Sequence, residues 1–242
     1  MSDAVPLVGS RARLRDLVRC AHPKQSLFLA TTIAVLAAID GRPLREFLSA
    51  GAAVLAVQLA LGLSNDVNDQ AHDYRAQTPG KPVAQGLVPA ATASYWMMVL
   101  VLLAVPLSVQ NGGVAGLALL ATVPVGWIHN RWLHRTVFSF VGWTLSAAML
   151  PAFLAYGGWA GGMHGHPPTW AMTAAAAVAG LSAHFVTSIG DLVEDNKSGA
   201  RTLPLQTALR IGAPRLLLLT ITLSALSVAG LVIAGLSAGL RQ

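Results

Sequence analysis

The stretch FLSAGAAVLAVQLALGLSNDVNDQAHD, residues 47–73, joins an apolar run to an acidic cluster. Its first part, residues 47–64, carries no charge and approaches the roughly 20 residues that a helix needs to cross a bilayer core. Six other apolar runs lie at 26–41, 92–110, 112–128, 137–156, 170–190 and 214–238. They are rich in Ala, Leu and Gly and lack the alternation of strands. The sequence therefore predicts an all-α, polytopic transmembrane bundle of about seven spans.

The composition supports lipid as the solvent. Only 11% of the residues are charged and 54% are hydrophobic, whereas an ordinary soluble domain is roughly 25% charged. The net charge of +6 is explained by membrane topology, because most Lys and Arg fall on one side of the predicted spans, as the positive-inside rule requires. We therefore expect no nucleic-acid partner. The N-terminus lacks a short apolar run with a cleavage site, so no signal peptide is expected.

The same charge distribution predicts a cytoplasmic N-terminus in an integral membrane protein, which we assign to a bacterial plasma membrane. Two parts follow. Residues 1–25 form a basic cytoplasmic segment, and residues 26–242 form a single transmembrane domain.

The acidic residues are concentrated in two places. The chain has ten, and six of them lie in two clusters after the second and sixth apolar runs: Asp66, Asp69, Asp73, Asp191, Glu194 and Asp195. If the second helix continues past Leu63, the first three carboxylates share one face, with Asn65 beside them. Asp191 and Asp195 are one helical turn apart. Two carboxylate faces are thus predicted at the cytoplasmic ends of two spans.

Like charges placed this closely near a membrane require a cation. Oxygen-only ligands suit magnesium, which takes one or two carboxylates, waters and phosphate oxygens from a substrate. A diphosphate substrate would explain both clusters together. The predicted metal ligands are Asp66, Asp69, Asp73, Asp191 and Asp195.

Basic residues follow each cluster and also occupy the loop between the fourth and fifth runs. Cations there would neutralise a diphosphate from the side opposite to the metal. The alternative for any one of them is a simple anchor at the membrane interface. The predicted diphosphate-binding residues are Asn65, Arg75, Lys81, Arg131, Arg135, Lys197 and Arg201.

Asn65-Asp66-x-x-Asp69-x-x-x-Asp73 resembles the first signature of the UbiA superfamily of intramembrane prenyltransferases, and Asp191-x-x-x-Asp195 resembles the second. Residues 80–86, GKPVAQG, are similar to the basic and Pro-containing stretch that follows the first signature. Residues 130–136, NRWLHRT, are similar to the basic connection after the fourth span. These motifs occur in the expected order over residues 60–205.

The resemblance implies a helical bundle around a central cavity, with both Asp motifs holding magnesium and a prenyl diphosphate. It implies that Asp66, Asp69, Asp191 and Asp195 are the catalytic residues. The implied chemistry is ionisation of the C–O bond to an allylic cation. An aromatic or lipid acceptor then captures the cation.

The sequence departs from the family pattern in two ways. Family members commonly have nine spans, and the seven found here leave the closure of the cavity open, so we expect a homodimer or a lateral opening toward lipid. Where the family often has Tyr and Lys near the fourth span, this chain has His129 and His134. His134 and His184 are candidate proton carriers. For His184 the alternative is an interhelical hydrogen bond.

Two other functions compete with prenyl transfer. A terpene cyclase would use the same site without an acceptor. A cation transporter would also place carboxylates in a membrane, but the acids here gather at one face only. No motif reports the prenyl chain length, the acceptor or the oligomeric state.

Overall fold

The computed structural model describes residues 10–159 and 167–237, and over these ranges the chain is helical without a strand. The ten α-helices in this part of the chain are α1 (Ser10–Cys20), α2 (Pro23–Ile39), α3 (Leu44–Ala76), α4 (Ala90–Val109), α5 (Gly113–Ile128), α6 (Ser139–Ala155), α7 (Trp170–Ser188), α8 (Leu192–Lys197), α9 (Leu203–Ile211) and α10 (Ala213–Ser237). A π-helical turn, His129–Leu133, follows α5, and a 3-10 turn, Ile189–Asp191, joins α7 to α8. The predicted all-α fold is confirmed.

All seven predicted apolar runs form helices. Five are long and apolar enough to cross a membrane: α3, α4, α5 with its π-helical turn, α7 continued through α8, and α10. The other two, α2 and α6, have 17 residues each, which at 1.5 Å per residue is about 26 Å. That length lies at the lower limit for a bilayer core of about 30 Å. The count of seven spans therefore depends on these two shorter helices.

Small residues allow the helices to pack with their backbones close together. A Cβ added to Gly180 of α7 would lie 2.4 Å from the carbonyl oxygen of Trp143 in α6. One added to Gly51 of α3 would lie 3.2 Å from the carbonyl oxygen of Ala30 in α2. Helices in lipid associate through such close packing, because lipid provides no hydrophobic force between them. These glycines consequently fix the spacing of the helix pairs α6–α7 and α2–α3.

The spanning helices pack in chain order, from α2 through α7, and α10 then packs on α7 and α9. Among the residues with described positions, α10 makes no extensive contact with α2. The arc of helices is thus open along one side, which is compatible with the predicted lateral opening. The homodimer stays a prediction.

Two arginines hold the end of the bundle opposite the acidic clusters. Arg42, in the turn between α2 and α3, donates a hydrogen bond to the carbonyl of Leu154 near the end of α6, and its side chain is 7% exposed. Asp40 lies 3.7 Å from the Arg42 Nε atom. The guanidinium of Arg45 lies 4.9 Å from the ring centroid of Trp159. A cation at a helix C-terminus is favourable because the last carbonyls carry partial negative charge.

Candidate active site

Helix α3 carries the first acidic cluster beyond the membrane core. Its 33 residues make it roughly 50 Å long at 1.5 Å per residue, well over the thickness of the core. Asp66, Asp69 and Asp73 are all inside this helix, as the sequence predicted. The helix ends where Gln77 adopts a left-handed conformation with φ 54. The chain then turns back, and residue 81 returns to the carboxylates.

Lys81 lies among the oxygens of the first cluster. Its Nζ atom is 3.5 Å from Asp66 Oδ1, 3.5 Å from Asp73 Oδ2 and 3.4 Å from Asn65 Oδ1. These distances exceed those of short charge-assisted hydrogen bonds. Burial lowers the pKa of Lys81, but the charges of Asp73, Asp66 and Asp69 outweigh burial and raise it. Lys81 is therefore the resident cation of this cluster.

Asp66 is the most deeply buried carboxylate of the site. Its side chain is 1% exposed, and its Oδ2 atom accepts a hydrogen bond of 3.3 Å from the backbone N–H of Val83. Asp66 Oδ1 and Asp73 Oδ2 are buried without a hydrogen-bond partner. A buried carboxylate with a free lone pair is costly. Both oxygens are consequently suited to a cation that supplies further positive charge.

Asp69 is held by two neighbours. The Nε2 atom of His134 lies 2.9 Å from Asp69 Oδ1, and the Asn65 side-chain amide donates to Asp69 Oδ2 at 2.8 Å. His134 follows the π-helical turn, where its backbone N–H donates to the carbonyl of His129. The turn after α5 therefore delivers a candidate proton carrier to the first cluster.

The second cluster is built on an interrupted helix. The sequence places this cluster directly after the sixth apolar run, and in the structure the 3-10 turn Ile189–Asp191 separates α7 from α8 at that point. Gly190 lies in the middle of that turn, and glycine is a weak former of α-helix. Asp191 is exposed as a result, whereas His184 is buried.

The two clusters lie close to each other. Glu194 of α8 accepts a hydrogen bond from Thr78, two residues after α3 ends. Lys81 acts electrostatically on Asp191, and His134 does so on Asp195. Lys81 and His134 contact the first cluster and lie within Coulombic range of the second.

The structure brings only part of the predicted basic set into this site. Besides Lys81, Arg135 reaches it, donating to the carbonyl of Ser198 at 3.0 Å and lying within Coulombic range of Asp195. The four other predicted cations are exposed and form no ion pair within the described ranges: Arg75, Arg131, Lys197 and Arg201. Their contact with a diphosphate stays a prediction.

His184 makes the interhelical hydrogen bond that the sequence left as an alternative. Its Nε2 atom lies 2.9 Å from Ser139 Oγ, at the start of α6. Ser139 Oγ also accepts from the backbone N–H of Leu203, at 3.1 Å. The Trp143 ring lies 5.9 Å from the His184 ring, centroid to centroid. His184 thereby connects α7, α6 and the start of α9.

Sequence reasoning missed several residues of this site. Thr202 caps α9 by accepting from Leu205, and it donates to Asp195 Oδ2 at 3.2 Å. The end of α1 packs near Asp66, and burial, followed by the charge of Asp66, raises the pKa of Cys20 to about 12. His22 lies beside the same carboxylates. Two sequence patterns could have indicated these residues: Thr-Leu-Pro at the start of α9 for Thr202, and His-Pro before α2 for His22.

The donor set determines which kind of cation fits. In residues 10–159 and 167–237, no three His, Cys, Asp or Glu side chains are grouped tightly enough to hold a metal by themselves. Magnesium does not need such a cage, because waters and substrate phosphate oxygens complete its shell. The carboxylates, two of them with unsatisfied buried oxygens, therefore fit a hard cation shared with a phosphate ligand. A cavity of about 270 Å³ adjoins them, lined by Asp73, Tyr74, Gln77, Thr78, Ala84 and Gln85.

Comparison with known sequences identifies the family. A sequence model described as the UbiA prenyltransferase family matches residues 26–241. The chain belongs to the UbiA prenyltransferase family. It is accordingly an integral membrane protein, in agreement with its long apolar helices. No curated protein matches the sequence closely enough to count as a relative.

Solved structures of UbiA proteins share this fold. A UbiA homolog from Archaeoglobus fulgidus bound to GPP and Mg2+ matches with a TM-score of 0.71 and 17% identity, over 92% of this chain and 78% of that one. The same homolog bound to DMAPP and Mg2+ matches with a TM-score of 0.70 and 18% identity, over 92% of this chain and 78% of that one. A digeranylgeranylglyceryl phosphate synthase matches with a TM-score of 0.62 and 16% identity, over 93% of this chain and 87% of that one. At these identities the likeness establishes the UbiA fold alone.

Proposed function

We propose that this UbiA-family protein is a magnesium-dependent intramembrane prenyltransferase that transfers an isoprenoid chain from a prenyl diphosphate to an aromatic or lipid acceptor. The observation that carries the proposal is the proximity of two carboxylate clusters at one end of an apolar bundle, where Lys81 pairs with Asp66 and Asp73 and Thr78 donates a hydrogen bond to Glu194. The GPP and DMAPP bound with Mg2+ in the Archaeoglobus homolog support it.

The site divides into a metal side and a diphosphate side. Magnesium would be held by Asp66, Asp69, Asp73, Asp191 and Asp195, and it would supply charge neutralisation at the leaving group. Lys81, Arg135 and Asn65 would bind the diphosphate oxygens, with Arg75, Arg131, Lys197 and Arg201 as the outer cations. Lys81 is suited to this role because its raised pKa keeps it charged.

The reaction is a heterolytic substitution. The allylic C–O bond breaks and its electron pair leaves with the diphosphate, where Lys81 and Arg135 stabilise the new negative charge. A nucleophilic atom of the acceptor forms a bond to the allylic carbon and then loses its proton. His134, in contact with Asp69, is the candidate to take that proton. His184 is less suited, since its Nε2 atom already contacts Ser139.

The apolar surroundings supply the remaining requirements. A carbocation survives only where water is excluded, and the helices leading away from the clusters are apolar throughout their spans. The opening between α2 and α10 provides a route for a lipid chain, and a second copy closing that opening is the alternative. We place the clusters on the cytoplasmic side of a bacterial plasma membrane, from the distribution of Lys and Arg.

The test is an assay of the purified protein in detergent with prenyl diphosphates of several lengths, with and without magnesium. We expect magnesium-dependent release of diphosphate that is lost in Asp66→Asn and in Asp191→Asn. Asp40→Asn is the matched control, because Asp40 pairs with Arg42 at the opposite end of the bundle and its loss leaves the site intact. No release with any chain length or acceptor would refute the proposal and lead to measurements of ion flux.

The same assay separates transfer from cyclisation. A prenylated acceptor supports the transferase. A cyclic hydrocarbon or alcohol that forms when prenyl diphosphate is the only organic substrate identifies a terpene cyclase instead. The diphosphate site is required in both cases, so the two aspartate variants are inactive under either reaction.

A further inference from the structure

His22 joins α1 to α2 with an uncommon backbone. Its φ is 49 and its ψ is 55, in the left-handed region, and Gln77 is the other non-glycine residue with positive φ in the described part of the chain. This conformation is costly for a residue with a Cβ. Pro23 follows, and a proline normally directs the preceding residue to an extended conformation. Surrounding contacts must therefore hold His22 in place.

Those contacts lie on both sides of the junction. The backbone N–H of His22 donates to the carbonyl of Arg19 at 3.1 Å, and its carbonyl accepts from the N–H of Ser26 at 3.2 Å. Ala21 is packed on α3, where a Cβ added to Gly62 would lie 2.4 Å from the Ala21 carbonyl oxygen. Gly62 precedes Asp66 by one helical turn, so the junction is fixed against the face that carries the first acidic cluster.

The imidazole of His22 has an unused hydrogen-bonding atom. Its Nε2 atom is buried and has no partner. The ring is close enough to the Asn65 side chain for Asn65 to act on its pKa as a hydrogen-bonding neighbour, and it lies within Coulombic range of Lys81, Asp66 and Asp69. Burial, and then the charge of Lys81, lower the pKa of His22. A buried polar atom without a partner requires an explanation.

We propose that His22 is a further substrate-binding residue whose ring N–H donates a hydrogen bond to a diphosphate oxygen between Asn65 and Lys81. The inference rests on the proposed function, because the ligand is the diphosphate of that site. A diphosphate oxygen accepts hydrogen bonds and carries no hydrogen, so it can pair with a ring N–H at the unpartnered Nε2 atom. The strained backbone is then the cost of directing the ring toward the ligand, since such strain is typically retained at binding sites.

The experiment distinguishes the effect of the imidazole ring on ligand binding from the effect of the backbone conformation. His22→Gly removes the ring and relieves the left-handed strain, whereas His22→Asn tolerates that conformation and keeps a shorter donor. The matched control is Ala21→Gly, which adds a glycine to the same junction but keeps the imidazole ring. Inorganic pyrophosphate with magnesium, and separately a prenyl diphosphate, are titrated calorimetrically into the full-length protein in detergent. Thermal unfolding of each variant is measured in the same detergent.

We expect His22→Gly to bind both ligands roughly tenfold or more weakly, the size of effect expected for one hydrogen bond to a charged group. Its unfolding temperature should not fall, because glycine removes the strain. His22→Asn should recover part of the affinity, and Ala21→Gly should bind both ligands like the wild type. In turnover, the loss should appear mainly as a raised KM.

The outcomes distinguish this inference from the proposed function. If the wild type binds, Asp66→Asn does not, and His22→Gly binds like the wild type, the role of His22 is refuted while the diphosphate site stands. Equal losses in His22→Gly and Ala21→Gly also refute it, since the effect would then come from the backbone of the junction. If the wild type binds neither ligand, the proposed function itself fails.

Discussion

The two acidic clusters have similar motifs but different structural support. The first lies on the long uninterrupted helix α3, where Asp66 is buried and contacts both Lys81 and the backbone of Val83. The second begins in a 3-10 turn, where Asp191 is exposed. Asp195 and Glu194 are held by single threonines from neighbouring segments. One cluster is part of the folded core, and the other lies at its edge.

This difference indicates that the two clusters contribute differently to stability and to activity. A buried cluster that is held by several contacts is pre-organised, and changing it affects folding as well as ligand binding. An exposed cluster on a short interrupted helix costs little to rearrange around a ligand. The first cluster should thus be coupled to stability, and the second mainly to activity.

The largest effect is expected for Lys81→Met. The change leaves Asp66 and Asp73 buried without their ammonium partner, and breaking a buried ion pair typically costs about 3–5 kcal/mol. The free energy of unfolding should be measured in mixed micelles for the variant and the wild type. Lys24→Met is the control, because Lys24 is exposed and forms no ion pair among the described residues.

The pH dependence of that effect follows from the sign of the pKa shift. The pKa of Lys81 is raised by the three carboxylates, so its contribution to stability is complete below the pKa of an unfolded lysine. The contribution is lost as the pH rises through the higher pKa of the folded state. The difference between Lys81→Met and the wild type should therefore be constant between about pH 6 and pH 8. A difference that vanished within this window would contradict the assignment.

A second prediction compares Asp66→Asn with Asp191→Asn. The first removes a buried charge that pairs with Lys81 and should lower the free energy of unfolding by about 1–3 kcal/mol. The second alters an exposed residue and should change it by less than about 0.5 kcal/mol. Both should abolish diphosphate release. Equal loss of stability in the two variants would show that the clusters are equally embedded.

The smallest predicted effect concerns the threonine that supports the second cluster. Thr202→Ala removes the cap of α9 and the hydrogen bond to Asp195, and a lost cap costs about 1 kcal/mol. Thr169→Ala is matched to it, because Thr169 caps α7 in the same way but contacts no acidic residue of the site. We expect similar losses of stability and a severalfold lower rate of diphosphate release for Thr202→Ala only. Equal rates of diphosphate release in the two variants would show that Thr202 does not contribute to the site.

The fold was predictable because its signals are local. The apolar runs and the spacing of Asp66, Asp69 and Asp73 lie within single helices, so composition and helical periodicity are sufficient to identify them. The 3-10 turn was missed, because a single Gly190 inside an apolar run is tolerated in many helices. Local patterns thus predicted the helices better than the break between α7 and α8.

The contacts between elements were not predictable in the same way. Lys81 meets Asn65 across 16 residues, and Ser139 meets His184 across 45. Such pairings depend on where a turn directs the chain and on which helices become neighbours. The left-handed backbone of His22 was hidden for the same reason, because contacts with α3 hold it. Sequence patterns therefore gave the candidate residues, and the fold determines which of them meet.

The hydrogen bond from Arg42 to the carbonyl of Leu154 has a consequence for biogenesis. The two residues are 112 positions apart, so the hairpin of α2 and α3 is synthesised long before α6 is available. During that interval the guanidinium lacks its carbonyl partner and must stay hydrated at the membrane surface. The first hairpin can therefore complete this contact only after α6 has been synthesised.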